Sequence, residues 1–161
     1  MNPTMKVRLL LPQPFSQSHG YFDGSSMVNL MFIRLVSGEI DVDSHVSAGL
    51  FCAAFNLLDE SVLTDDDYAA LADLMGWFRI HLKGPFEYRL RSPWRARRAI
   101  CWFKPTAYAH LARAWEMATI LERNNVPIRM IKARNVGYIL YEDEAQIFAE
   151  PFADVRRVLR R

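Results

Sequence analysis

Lys104, Thr106 and His110 are the residues of this sequence best spaced to hold an anion. They follow the apolar run Ala99-Ile-Cys-Trp-Phe103, and Pro105 reads as the opening of a helix. A helix N-terminus leaves backbone N–H groups unpaired and carries partial positive charge. A phosphate or carboxylate has a physical reason to bind there. On this reading Lys104 supplies a counter-charge, Thr106 a hydroxyl, and His110, one turn on, a general acid or base. Glu142 and Asp143, at an acidic turn, are the candidates for a second acid–base group. The competing reading is structural: Thr106 caps the helix, Lys104 and the turn are solvated, and His110 is a surface residue.

A second candidate is the stretch Arg89-Leu-Arg-Ser-Pro-Trp-Arg-Ala-Arg-Arg98, which contains no acid. Arginine binds phosphate and tryptophan stacks on bases. Arg89, Arg91, Trp94, Arg95, Arg97 and Arg98 are therefore the residues expected to meet an acidic protein or a nucleic acid. The competing reading is a solvated linker that meets only the acidic half of the chain. That half is real: residues 1–87 hold 5 Lys/Arg against 11 Asp/Glu, and residues 88–161 hold 15 against 7. No nucleic-acid motif accompanies the patch.

Other chemistries find no pattern. Histidines 19, 45, 81 and 110 make no metal-ligand spacing, and Cys52 and Cys101 belong to no Cys-x-x-Cys pair. Both cysteines have apolar neighbours and are expected to be reduced, buried thiols. There is no glycine-rich phosphate loop, nucleophile elbow or His-Glu-x-x-His helix. No metal and no cofactor is expected. His81 and His110 would meet only if the two longest helices pack together.

These residues must be positioned by one domain of ordinary globular composition, with 161 residues, 51% apolar and 24% charged. No apolar run approaches the roughly 20 residues of a membrane span, and no signal peptide is visible. A cytoplasmic location without membrane contact is expected. Strands are expected at Met5–Leu11 and, less clearly against a helix, at Met27–Val36. A buried helix is expected over Ser44–Leu58. A second helix is expected over Thr64–Lys83, capped by Thr64, with a stripe of Tyr68, Leu71, Ala72, Met75, Phe78 and Leu82.

The C-terminal half reads as β-α-β-β-β. A strand Ala99–Lys104 leads into a helix to about Asn125, with Ala107, Leu111, Ala114, Trp115, Ala118 and Leu121 inward. A strand Pro127–Ala133 and a hairpin of Tyr138–Tyr141 with Gln146–Glu150 follow. The crossover should place its two strands parallel, and the last three strands should form an antiparallel meander. The expected fold is α+β, a single domain with a mixed sheet and two to three N-terminal helices. Its parts are an acidic helical half (1–87), a basic β-α-β-β-β half (88–152) and a basic tail (153–161).

The pattern Cys101-Trp-Phe-Lys104, His110, Trp115, Leu121, Gly137-Tyr-Ile-Leu-Tyr-Glu-Asp-Glu144, Gln146 and Ala149-Glu-Pro-Phe152 resembles a group of small bacterial proteins of unassigned function. The resemblance extends weakly to Trp77-Phe78. It implies a bacterial or phage origin and carries no catalytic residue onto this chain. Two functions remain. One is a non-enzymatic regulatory or interaction protein that binds an anionic partner through the arginine-rich connector. The other is a small enzyme acting on a phosphorylated or otherwise anionic small molecule at Lys104, Thr106 and His110. The absence of a catalytic constellation favours the first. A homodimer is expected on general frequency, with Gln146–Glu150 as a free sheet edge.

Overall fold

The computed structural model describes residues 31–41, 45–60, 62–84 and 97–160. The strand expected at Met5–Leu11 and residues 27–30 lie outside these. The rest of the ambiguous run is strand: β1 spans Phe32–Ile40 and continues through Gly38. It is followed by β2 (Ser47–Gly49), α1 (Leu50–Asp59) and α2 (Asp65–His81). Then come β3 (Ile100–Phe103), α3 (Tyr108–Arg123), β4 (Ile128–Ala133), β5 (Tyr138–Glu142), β6 (Gln146–Glu150) and α4 (Ala153–Leu159). The chain is an α+β single domain.

β1 organises the sheet. Its residue Ile33 pairs with Phe103 of β3 and with Lys132 of β4, while Val36 pairs with Gly49 of β2 and Arg129 of β4. A strand residue has only two sides, so β4 lies along one edge of β1. β3 and β2 share the other edge end to end. β6 then pairs with β3, and β5 with β6. Every one of these pairs is antiparallel. The mixed sheet therefore does not form. β3 and β4 do run parallel to each other, but β1 lies between them. The meander is corrected as well, since β4 joins β1 and not β5. β6, expected at an edge, lies between β3 and β5.

The helix expected from Ser44 begins only at Leu50, because residues 47–49 return along β1 as β2. The return is tight: Asp41 N–H donates to Val46 O at 2.9 Å, and His45 takes φ 56°. A left-handed position filled by histidine rather than glycine or asparagine hides the turn from the sequence. α2 forms as its sequence dictates. The Thr64 side chain accepts from Asp67 N–H at 3.2 Å, and three aspartates fill the positive first turn. α3 ends in a Schellman motif, with Val126 N–H on Leu121 O at 2.9 Å and Asn125 N–H on Glu122 O at 3.1 Å. Asn125 takes the left-handed φ of 64° that this ending needs.

Alternation along the strands sends Ile33, Leu35 and Phe103 to one face and Val36, Trp102 and Ile147 to the other. The first face packs under α1, α2 and α3 through Leu57, Leu71, Phe78, Met117 and Leu121. The second is met by Val155 and Leu159 of α4. Each fully buried side chain of this size contributes about 1.5–3 kcal/mol.

Two stripes are rotated from expectation. In α2, Leu74 is buried and Tyr68 exposed; in α3, Met117 is buried while Trp115 is 44% exposed. α1 is not buried all round, since Phe55 is 65% exposed. Charged groups of the two halves meet where α2 begins and α3 ends. Arg123 Nε donates to Asp67 Oδ2 at 3.0 Å, Arg123 Nη2 pairs with Asp67 Oδ1, and Asn124 Nδ2 donates to the same carboxylate at 2.9 Å. The start of α2 is thereby tied to the end of α3. Among the described residues no helix is long and apolar enough to cross a membrane.

Candidate functional site

α1 and α2 do not close completely on the sheet. Between them and strands β3 and β6 lies an apolar groove of about 600 Å³. Phe51, Phe55 and Leu58 of α1 form one wall, and Met75, Gly76 and Phe78 of α2 form the other. Cys101 of β3 and Gln146 and Phe148 of β6 lie on the sheet side. The inner wall is a fixed aromatic pair: Phe51 and Phe78 meet edge to face with centroids 4.8 Å apart. A volume of this size is within the range of small-molecule sites, roughly 300–1,000 Å³.

The charged residues that line the groove are Arg79 and Lys83, both cations and both exposed. Among the described residues no carboxylate lines it and neither cation has an ion-pair partner. This matters because residues 1–87 carry a net negative charge and hold only 5 Lys/Arg in all. Two of those five stand together at this opening.

The polar groups on the sheet side are held in a network centred on Gln146, which is fully buried. Its Nε2 donates to Lys83 O at 2.8 Å and to Asp143 Oδ2 at 3.2 Å. Its Oε1 accepts from the Cys101 thiol at 3.1 Å. Burial pushes the Cys101 thiol up to about 12, with the nearby Arg34 pulling it down and Asp143 pushing it further up. At neutral pH it is a protonated hydrogen-bond donor and not a nucleophile. Gln146 thus fixes the backbone at the Lys83 end of the groove to the hairpin below it.

The residues singled out by sequence are brought together differently. Lys104 Nζ pairs with Glu142 Oε1 at 2.7 Å. Thr106 does not cap α3, whose N-cap is Ala107 with no side-chain capping bond. The chain makes two tight turns first, with Ala107 N–H on Lys104 O at 3.0 Å and Tyr108 N–H on Thr106 O at 2.9 Å. His110 turns toward α2, where its Nε2–H donates to His81 O at 3.0 Å. His81 stacks on Trp77 at 4.4 Å and donates from Nδ1 to Trp77 O at 2.9 Å. The two long helices do pack, and the two histidines do meet. The meeting fastens α2 to α3 and leaves Lys104, Thr106 and His110 without a common focus.

Asp143 is the organiser of its own turn. Its carboxylate accepts from Ala145 N–H at 2.8 Å, Gln146 N–H at 2.9 Å and the Tyr141 hydroxyl at 3.0 Å. Burial raises its pKa, but these bonds and that from the Gln146 side chain outweigh it and hold it below the ordinary carboxylate value. Of the arginine stretch, Arg89, Arg91, Trp94 and Arg95 lie outside the described residues. Arg97 is exposed, and Arg98 Nη1 stands 3.9 Å from Glu150 Oε1. Cys52, expected to be buried, is exposed. It lies on a helix whose buried positions are Leu50, Ala53, Ala54 and Leu57.

Sequence reasoning missed the groove because its lining comes from four separate elements. One local signal was present. Gly76 interrupts a strong helix, with Arg79 one turn later on the same side and Lys83 just past the helix end. Set against protein-family models, curated proteins and solved structures, the chain matches none.

Proposed function

We propose that this chain is a binding protein for an amphipathic anion. The apolar body of the ligand lies in the groove between α1, α2 and the sheet, and its acidic head meets Arg79 and Lys83. The observation that carries this reading is the lining itself: among the described residues it has aromatic and aliphatic side chains inside, two cations without an ion-pair partner at the opening and no carboxylate. A fixed apolar wall contributes about 25 cal/mol per Å² of ligand surface removed from water. The cations add the choice of charge.

This keeps the anionic partner expected from sequence and changes where it is held. A nucleic acid carries one phosphate charge per nucleotide and is tracked by a continuous basic surface, whereas this groove offers two cations beside an apolar interior, so it favours an acidic amphiphile. The enzymatic alternative is less well supported. Lys104 and Glu142 neutralise each other, Asp143 holds a turn, and His110 is committed to α2.

The test is fluorescence titration of the full chain with the aromatic anion anilinonaphthalene sulfonate, followed by displacement. Decanoate should displace the dye, and decylamine, with the same chain and the opposite charge, should not. Replacing Arg79 and Lys83 by Glu should weaken dye binding at least tenfold, about 1.4 kcal/mol. Equal displacement by decanoate and decylamine, or dye binding indifferent to the charge reversal, would overturn the proposal.

A further inference from the structure

Gly76 sits in the interior of α2, where glycine is the poorest helix former after proline. Glycine in such a place commonly admits a neighbouring backbone or supplies a positive φ. Neither applies. Among the described residues a Cβ built at Gly76 meets nothing within 4 Å, and the positive-φ glycine is Gly137. Yet Gly76 lines the groove, between Ala72 one turn before and Arg79 one turn after, with Lys83 just beyond the end of the helix. The space in front of it is therefore groove.

We infer that Gly76 is the specificity-determining residue of the groove, its missing side chain making room for the apolar body of the bound anion next to the cations that hold its head. This rests on the binding reading above and adds which residue sets the size of ligand admitted. Gly49 shows the contrast. There a Cβ would stand 3.2 Å from Arg34 Nη2, so that glycine is explained by the protein's own packing. Among the described residues the open space at Gly76 has no such occupant. A side chain one carbon long would narrow the groove, and a leucine would fill it at the level of Met75 and Arg79.

The experiment compares wild type with Gly76→Ala, Gly76→Leu and Arg79→Glu in the same dye titration, with thermal melting run alongside. Both Gly76 variants should melt higher than wild type, because Ala and Leu are better helix formers and meet no clash. Dye affinity should fall modestly in Gly76→Ala and at least tenfold in Gly76→Leu. A decanoate-displaceable dye in wild type that is lost in Arg79→Glu but unchanged in Gly76→Leu would overturn this inference and leave the binding reading standing. A wild type that binds no dye would overturn both. A lower melting point in Gly76→Leu would show the space to be occupied by the protein and would also overturn it.

Discussion

Arg34 should be the costliest surface-inaccessible charge to remove, and the reason lies in the sheet. Because β2 and β3 share one edge of β1 end to end, a gap in the ladder opens beside Arg34. The side chain is 8% exposed and lies across that gap, with Nη1 donating to Cys101 O at 2.9 Å and Nη2 to Ser47 O at 3.3 Å. No carboxylate pairs with it among the described residues, and Nε has no partner. Burial lowers its pKa, opposed by the nearby Cys101 and Asp41.

Two effects of Arg34→Ala compete. Orphaning two inward carbonyls costs roughly 1–3 kcal/mol each. Removing an unpaired buried charge returns part of its desolvation penalty. The carbonyl loss should win, for a net destabilisation of roughly 2–4 kcal/mol. For a chain of this length that lowers the melting point by roughly 5–15 °C. Arg34→Met keeps much of the stem volume and removes only the donors, so it should fall within about 1 kcal/mol of the alanine variant. Urea unfolding gives both values, with an unchanged denaturant slope as the check that the native state is intact. If either variant is as stable as wild type, the guanidinium does not close the ladder and its desolvation cost dominates instead.

Three further outcomes follow from named contacts. Gly137→Ala should cost roughly 2–6 kcal/mol from strain and overlap, because Gly137 takes φ 119° and a Cβ would stand 2.0 Å from Glu150 O; Gly38→Ala, with nothing within 4 Å, is the neutral control in the same urea series. The Asp67 pKa is lowered by hydrogen bonds from Arg123 and Asn124, with burial opposing. A group with a depressed folded pKa stabilises above its unfolded value and loses that contribution as pH falls through the folded one. The stability difference between wild type and Asp67→Asn should therefore be full at pH 7 and shrink as pH drops below about 4, read from urea midpoints across the range. Thiol titration of the folded chain at pH 8 should label Cys52 slowly, since partial burial and then Asp41 and Glu39 raise its pKa. Cys101 should label only after denaturation, and prompt labelling of both would contradict the Gln146 network.

How much of this was legible in the sequence depended on how local each cause was. α2 could be read from Thr64 and three aspartates, the end of α3 from Asn125, and the β5–β6 hairpin from its alternation, because each is set by residues within one or two turns. The α1 boundary could not, since what stops the helix at Leu50 is pairing of residues 47–49 with β1. The register of β4 was hidden for the same reason, its partner being a strand some ninety residues earlier. Trp115 and Met117 exchanged places because periodicity places a stripe to within a residue, and only the packing of α3 against α1 and α2 decides which large side chain turns inward.

The candidate site inverts the usual order of signals. Lys104, Thr106 and His110 are close in sequence, carry the right chemical groups and do not converge, since two tight turns precede α3 and rotate His110 onto α2. Phe51, Arg79, Cys101 and Phe148 have no sequence proximity and converge. Adjacency in a chain predicts convergence only when one element holds the residues on one face. A groove between layers draws on every layer that borders it. What remains visible in such a case is a local cost with no local cause, and Gly76 is one: a helix-weakening residue in a helix with no turn, no positive φ and, among the described residues, no crowding neighbour to require it. A residue that harms its own element should be explained by something outside that element. Among the described residues, what lies outside α2 at Gly76 is the groove.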